Sequence, residues 1–247
     1  MLYKQPRPDD VLVAHGRATQ PALPRRFTVC VWNWQKSKQK GWADEFAKIS
    51  QAADLFLAQE VRRSPAVRGV MEAAPYHWSG AVSFFSLKGQ NPVGVATGCT
   101  AEPLKVSFKR GAREPVLQVP KMTLSTLIPL QHSAPLLVIN IHAINFTGLK
   151  PFESNLRRAA ELLLDFDGPV LLGGDFNSWN ARRRRLLQST ARAAGLTEVV
   201  FDPDRRTRCL GRPVDYLFVR GLKVLAAGVR ITEGSDHNPL LVRLEAR

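Results

Sequence analysis

Residues 169–177 read P-V-L-L-G-G-D-F-N, a short apolar run followed by two glycines, an acid and an amide. An unalternated apolar run of this length suits a strand covered on both faces. Just upstream, the D-G-P turn at 167–169 closes a helical run over 153–166 that places Leu156, Ala160, Leu163 and Leu164 on one face. Downstream, the pattern predicts a helix near 181–194 and strands at 214–219, 222–231 and 240–244. The first half opens in the same way, with strands at 27–32 and 53–59 and helices near 42–51 and 64–73. Strands without intervening helices then follow at 78–85, 93–99 and 105–108, in a hairpin over 116–129, and at 136–142. Strand–helix alternation opening each half, with an antiparallel stretch between, predicts an α/β chain built as two packed mixed β-sheets flanked by helices. Neither G-x-G-x-x-G nor G-x-x-x-x-G-K-[ST] occurs, which argues against a dinucleotide-binding or P-loop arrangement.

A chain of 247 residues, 45% apolar and 23% charged, can bury one large core and is neither disordered nor fibrous in composition. No apolar run approaches the roughly 20 residues of a membrane-spanning helix. The formal net charge is +14, a field that attracts nucleic acid, an acidic membrane surface or phosphorylated small molecules. Cys30, Cys99 and Cys209 are odd in number and lack metal-type spacing, so thiols in a reducing, cytoplasmic compartment are expected. No signal-peptide core precedes them: the apolar segment 11–14 is too short and follows Asp9 and Asp10. Residues 1–26, with Pro6, Pro8, Pro21 and Pro24, read as an N-terminal extension, and 27–247 as the domain.

Polar groups recur where the strands are predicted to end: Asn33, Glu60, His142 with Asn145, Asp175 with Asn177, Asp215, and Asp236 with His237. Singly, each has a plain reading as a turn residue. Jointly they suit phosphodiester cleavage. A hard cation such as Mg²⁺ or Mn²⁺ takes one or two carboxylates plus an amide, and Glu60, Asn33 and Asp236 can supply that set. Histidines and paired Asp/Asn suit the orientation of a water and the stabilisation of the leaving oxygen.

In chain order, V-W-N (ending at Asn33), A-Q-E (ending at Glu60), N-I-H-A-I-N, G-G-D-F-N, R-P-V-D-Y and S-D-H-N-P resemble the marker motifs of the endonuclease/exonuclease/phosphatase, or DNase I-like, superfamily. H-A-I-N-F and S-D-H-N-P-L-L are most similar to its YafD-like bacterial branch. The resemblance runs from about Phe27 to the C-terminus and implies a four-layered α/β sandwich with a divalent-metal phosphohydrolase site. It implies Glu60 as principal metal ligand with Asn33 and Asp236, and Asp175 and Asn177 as the residues that position water and phosphate. It further implies His237 as general base or phosphate contact, Asp215 as the partner setting its tautomer, and His142 as a phosphate contact or proton donor to the leaving oxygen. A histidine at 142, where abasic-site endonucleases carry tyrosine, disfavours abasic-site repair. R-E-P at 113–115 resembles a DNase I segment and makes Arg113 a candidate substrate contact.

Substrate contacts are also expected from Asn145 and from Arg182 and Arg183, in a four-arginine run at a helix start where cations sit unfavourably unless an anion is near. A second basic group, Arg205, Arg206, Arg208 and Arg212, precedes Asp215. Trp34 and Trp179 are candidates for the site mouth and Trp32 for the core. The resulting expectation is a metal-dependent nuclease of low sequence specificity acting on DNA or RNA. The alternatives are a phosphatase or phospholipase-type hydrolase of an inositol phosphate or sphingomyelin-like headgroup, with an anionic membrane as surface, and a noncatalytic nucleic-acid-binding module. No protein partner is inferred.

Overall fold

The computed structural model of the chain describes residues 3–86, 91–115 and 118–247. Its elements begin with β1 (Tyr3–Lys4), β2 (Leu12–Gly16), β3 (Arg26–Asn33), α1 (Trp42–Ser50), β4 (Leu55–Arg62), α2 (Pro65–Glu72), β5 (His77–Ser86) and β6 (Pro92–Cys99). There follow β7 (Lys105–Arg113), β8 (Pro120–Ile128), β9 (Leu136–His142), α3 (Leu149–Ala160), β10 (Val170–Asp175) and α4 (Ala181–Ala193). Last come β11 (Thr197–Glu198), β12 (Arg208–Cys209), β13 (Arg212–Pro213), β14 (Asp215–Arg220), β15 (Leu222–Val229) and β16 (Leu240–Ala246).

One sheet runs β1-β5-β6-β4-β3-β16-β15, with β2 also on β5, and the other runs β11-β14-β10-β9-β8-β7. Each is mixed, with one parallel pair at its centre, β3 with β4 and β9 with β10. Side chains alternate across a strand, so each central strand feeds two cores. In β3, Phe27, Val29 and Val31 enter the core between the sheets, while Cys30 and Trp32 pack towards α1 and α2. In β9, Val138 faces the other sheet, and Leu137, Ile139 and Ile141 face α3 and α4. The layers are helices, sheet, sheet, helices: a four-layered α/β sandwich. Two glycines of the opening motif permit the close packing. A Cβ on Gly173 would meet Leu217, Leu57 and Val31 at 2.8–3.2 Å, and Gly174, at φ +143, would meet the Ile141 carbonyl at 1.9 Å.

Several expectations shift. The described part of the N-terminal extension, from residue 3, does pack on the surface, but with strands: β2 pairs with β5 from Leu12↔Ala81 to Gly16↔His77, and Val11 is buried. Pairing there covers a sheet edge that would otherwise present free N–H and C=O groups. The helix expected over 153–166 starts earlier and tightens into a 3-10 turn at Glu161–Leu163, which rotates Leu164 off the apolar face and leaves it 69% exposed. The expected hairpin over 116–129 is instead a single strand, β8, paired with a longer β7; residues 116 and 117 lie outside the described residues. Cys30, Cys99 and Cys209 are free thiols. Among the described residues no helix is long and apolar enough to cross a membrane.

Candidate active site

Strand register places the polar residues side by side. Asp175, the last residue of β10, stands opposite His142 of β9 on one side and Asp215 of β14 on the other. In the other sheet Asn33 ends β3 opposite Gln59. Alternation turns Asn33 and Asp175 into the space between the sheets, where Asn33 Nδ2 donates to Asp175 Oδ2 at 3.0 Å. Beneath this rim a buried amide pair ties the sheets together: Gln59 Nε2 donates to Asn140 Oδ1 at 2.8 Å, and Asn140 Nδ2 donates to the Ala58 and Ala96 carbonyls.

Glu60 follows with its backbone at φ +50, in a register irregularity between Ala58 and Val61 that turns its carboxylate into the site. Its oxygens lie 3.5 Å from Lys36 Nζ and 4.0 Å from His142 Nε2. His142 Nε2 is also 3.5 Å from Asp175 Oδ2 and 2.9 Å from Lys121 Nζ, which pairs with Glu114 at 2.8 Å. Since an ammonium only donates, His142 Nε2 accepts from Lys121. Burial, and after it Lys121, His237 and Lys36, push the His142 pKa well down, so the ring is neutral.

The turn before β16 carries Asp236 and His237. It is anchored by Trp32 Nε1, which donates to the His237 carbonyl, and by Ser235 Oγ, which donates to the Asn33 carbonyl. His237 Nδ1 lies 2.8 Å from Asp215 Oδ2. Burial opposes the charged ring, but Asp215, then Asp175 and Asp236, outweigh it and raise the His237 pKa to about 10. Burial also raises Asp175 to about 6, with His237 opposing and Asp215 reinforcing. Asn177, at φ +49, donates its N–H to Asp175 Oδ1 and its amide to the Ala143 carbonyl. A cavity of about 380 Å³ opens beside Glu60 and His142.

A family model described as the endonuclease/exonuclease/phosphatase family matches residues 30–237. The chain belongs to the endonuclease/exonuclease/phosphatase family. A UPF0294 protein of Yersinia pseudotuberculosis is 39% identical over 218 residues, which cover 88% of this chain and 83% of that protein. Among solved structures, an endonuclease/exonuclease/phosphatase from Beutenbergia cavernae superposes with a TM-score of 0.75 at 17% identity, covering 90% of this chain and 72% of that one. ANGEL2, a 2',3'-cyclic phosphatase in complex with adenosine-2',3'-vanadate, gives 0.67 at 18% identity over 95% and 98%.

Within this family frame the expected site residues divide into three groups. His142, Asp175, Asn177, Asp215 and His237 form one connected cluster, joined by Asn33 and flanked by Glu60. Asp236 is adjacent, its Oδ2 accepting from Gln35 Nε2 at 2.9 Å while the Gln35 N–H is held by Asn33 Oδ1. Asn145 lines the cavity.

The arginines correct the expectation. Arg183 is 1% exposed, donates to the Ile144, Asn177 and Thr147 carbonyls and to Thr147 Oγ1, and stacks on Phe152 and Trp179. With its donors taken by backbone it holds the loops in place and is no substrate contact; the anion that relieves the helix start is replaced by carbonyl dipoles. Arg206 is likewise buried, against Asp204, Glu198 and the Tyr216 ring. Arg113 reaches Gln5 at the N-terminal segment and, like Arg182, Arg185, Arg205 and Arg208, is exposed. Trp34 is fully buried against Trp42, Phe46 and Trp78, away from any mouth. Sequence reasoning missed Gln35, Lys36 and Lys121, which lie in no motif and approach the site only through folding.

Oxygen donors of the type a hard divalent cation takes are present. Asp175, Asp215 and His237 offer ligand atoms within 4.8 Å of one another. In that trio the histidine and Asp215 Oδ2 already share a proton, although Asp215 Oδ1 is buried without a partner. Glu60, by contrast, lies within ion-pair distance of Lys36 and His142 among the described residues, and its side chain is one-quarter exposed.

Proposed function

We propose that this chain is a divalent-metal-dependent phosphodiesterase acting on DNA or RNA with little sequence specificity. The observation that carries the reading is the hydrogen-bonded His237–Asp215 pair beside buried Asp175, with Asp175 and Glu60 both approaching His142 Nε2. Glu60, Asn33 and Asp236 would hold Mg²⁺ or Mn²⁺, which when bound supplies positive charge against the phosphoryl oxygens. His237, protonated at neutral pH, donates to a phosphoryl oxygen. Asp175, at about 6, is ionised at neutral pH yet basic enough to take a proton from an attacking water. Asn177 fixes that carboxylate through its N–H, and Asn33 fixes it from the opposite sheet. On the leaving side His142 is neutral, and Lys121 supplies the cation. The charge of +14 and the exposed arginines of α4 and of the segment before Asp215 support a polyanionic substrate, since backbone contacts neutralise phosphates without reading bases.

The test is a parallel assay of plasmid, single-stranded DNA, RNA, phosphoinositide and sphingomyelin, with and without EDTA. Cleavage of a nucleic acid is expected, stopped by EDTA, restored by Mg²⁺ or Mn²⁺ and lost in Glu60→Ala. Full activity after EDTA and dialysis would overturn the metal requirement; hydrolysis of the lipid substrates alone would overturn the nucleic-acid reading.

A further inference from the structure

The cavity beside Glu60 and His142 extends beyond the groups assigned a role above. It lies between the β5–β6 edge of one sheet and β8 of the other, and Lys36, Glu60, Lys121 and His142 line it while Asp175, Asp215 and His237 do not. It therefore adjoins His142 and Lys121, the groups proposed above to serve the leaving oxygen. Its volume, about 380 Å³, falls within the roughly 300–1,000 Å³ of small-ligand sites. Phe84, Val93 and Met122 make its wall apolar, and the hydroxyl of Ser83 is spent on the Pro120 carbonyl.

An independent feature stands at the mouth. Phe146 lines the cavity, is 73% exposed, and holds its backbone at φ +47, a conformation a bulky side chain adopts only when its surroundings impose it. Asn145 imposes it: the one Oδ1 accepts from the Phe146 N–H at 2.9 Å and from Trp179 Nε1 at 3.0 Å. The Trp179 ring, 6.2 Å from the Phe146 ring, is itself backed by the buried Arg183 guanidinium. The result is a braced, solvent-facing aromatic plane at the rim of an apolar hollow, next to two lysines.

Resting on the nucleic-acid reading, we infer that Phe146 and this cavity form a subsite for one unstacked nucleobase on the leaving side of the cleaved phosphate, so that single strands and chain ends are cut in preference to intact duplex. A flat exposed ring favours a π-face over an aliphatic chain, Lys36 and Lys121 suit the adjoining phosphate, and stacking on a ring does not read base identity.

Oligonucleotides carrying 2-aminopurine at successive positions, bound to the Glu60→Gln protein with Mg²⁺, test the subsite directly. Emission should change at a single position, and Phe146→Ala, an exposed substitution that spares the core, should abolish the change and weaken single-strand affinity about 5- to 100-fold. Phe146→Trp should restore both. Val93→Trp, which fills the hollow from its wall, should remove the signal as well, with circular dichroism and the melting temperature reporting its fold. Equal cleavage of single and double strands with a flat emission profile would overturn the subsite and leave the nuclease reading standing. Hydrolysis of an alkyl phosphodiester, with no oligonucleotide bound or cut, would overturn both.

Discussion

Asp215 shows how one carboxylate sets the state of another group. Burial alone would lower His237; Asp215 at 2.8 Å opposes it most, and together with Asp175 and Asp236 brings it to about 10. Replacing Asp215 with Asn removes that charge and that acceptor, lowers the pKa of the buried ring, and loosens the choice of tautomer. Turnover is expected to fall about 10²- to 10⁴-fold, with substrate affinity changed much less. Wild-type turnover in the Asn variant would show the pair to be structural. The same shift has a stability consequence. His237 is raised from an unfolded value near 6.5, so its contribution is complete below about 6.5 and is lost as pH rises through 10. Urea midpoints of the wild type should fall between pH 7 and pH 10, and those of Asp215→Asn should fall less across that window.

Among the elements, β4 and α4 carry opposite lessons. Glu60 keeps a left-handed backbone within a strand, a cost that glycine would not bear. Glu60→Gly should therefore be at least as stable as the wild type, by up to about 1 kcal/mol, while losing activity. A clear loss of stability would mean that the carboxylate supports the fold as well as the chemistry. In α4 the roles are reversed for Arg183, whose guanidinium satisfies the loop carbonyls of Ile144, Thr147 and Asn177. Arg183→Ala leaves those buried acceptors unpaired and is expected to cost about 2–4 kcal/mol in urea unfolding, against about 0.5 kcal/mol or less for Arg182→Ala.

For the molecule as a whole, exposed charge and sheet edges decide the predictions. Arg182 and Arg185 remain free on the surface of α4 once Arg183 is assigned to the interior. Arg182→Gln with Arg185→Gln should weaken nucleic-acid binding across unrelated sequences and flatten the log–log salt slope by about one unit for each phosphate no longer neutralised. An unchanged slope would remove α4 from the binding surface. Deleting residues 1–16 strips β1 and β2 from β5 and opens the space that Val11 fills. A lower melting temperature and concentration-dependent association are expected, measured by calorimetry and light scattering.

Periodicity and motif order are local properties, and they determined much of this protein from sequence alone. The unalternated runs at 136–142 and 170–172 are buried strands because both faces are covered, and the polar groups at their ends lie together because strands of one sheet end at a common rim. The seven residues from Asn33 to His237 that make the candidate cluster were legible for that reason. What tertiary structure alone decided concerns groups whose state depends on distant neighbours. An arginine run carries no mark telling Arg183, sunk among carbonyls, from Arg182 in solvent, because a helix presents successive residues about 100° apart and only packing selects the inward one. Lys121 and Lys36 carry no motif, yet one adds to burial in keeping His142 neutral and the other faces Glu60, across gaps of 21 and 24 residues in the chain. Charge state, cavity and the braced plane of Phe146 arise where the two sheets converge, and convergence is a property of the packed sandwich rather than of any one of its strands.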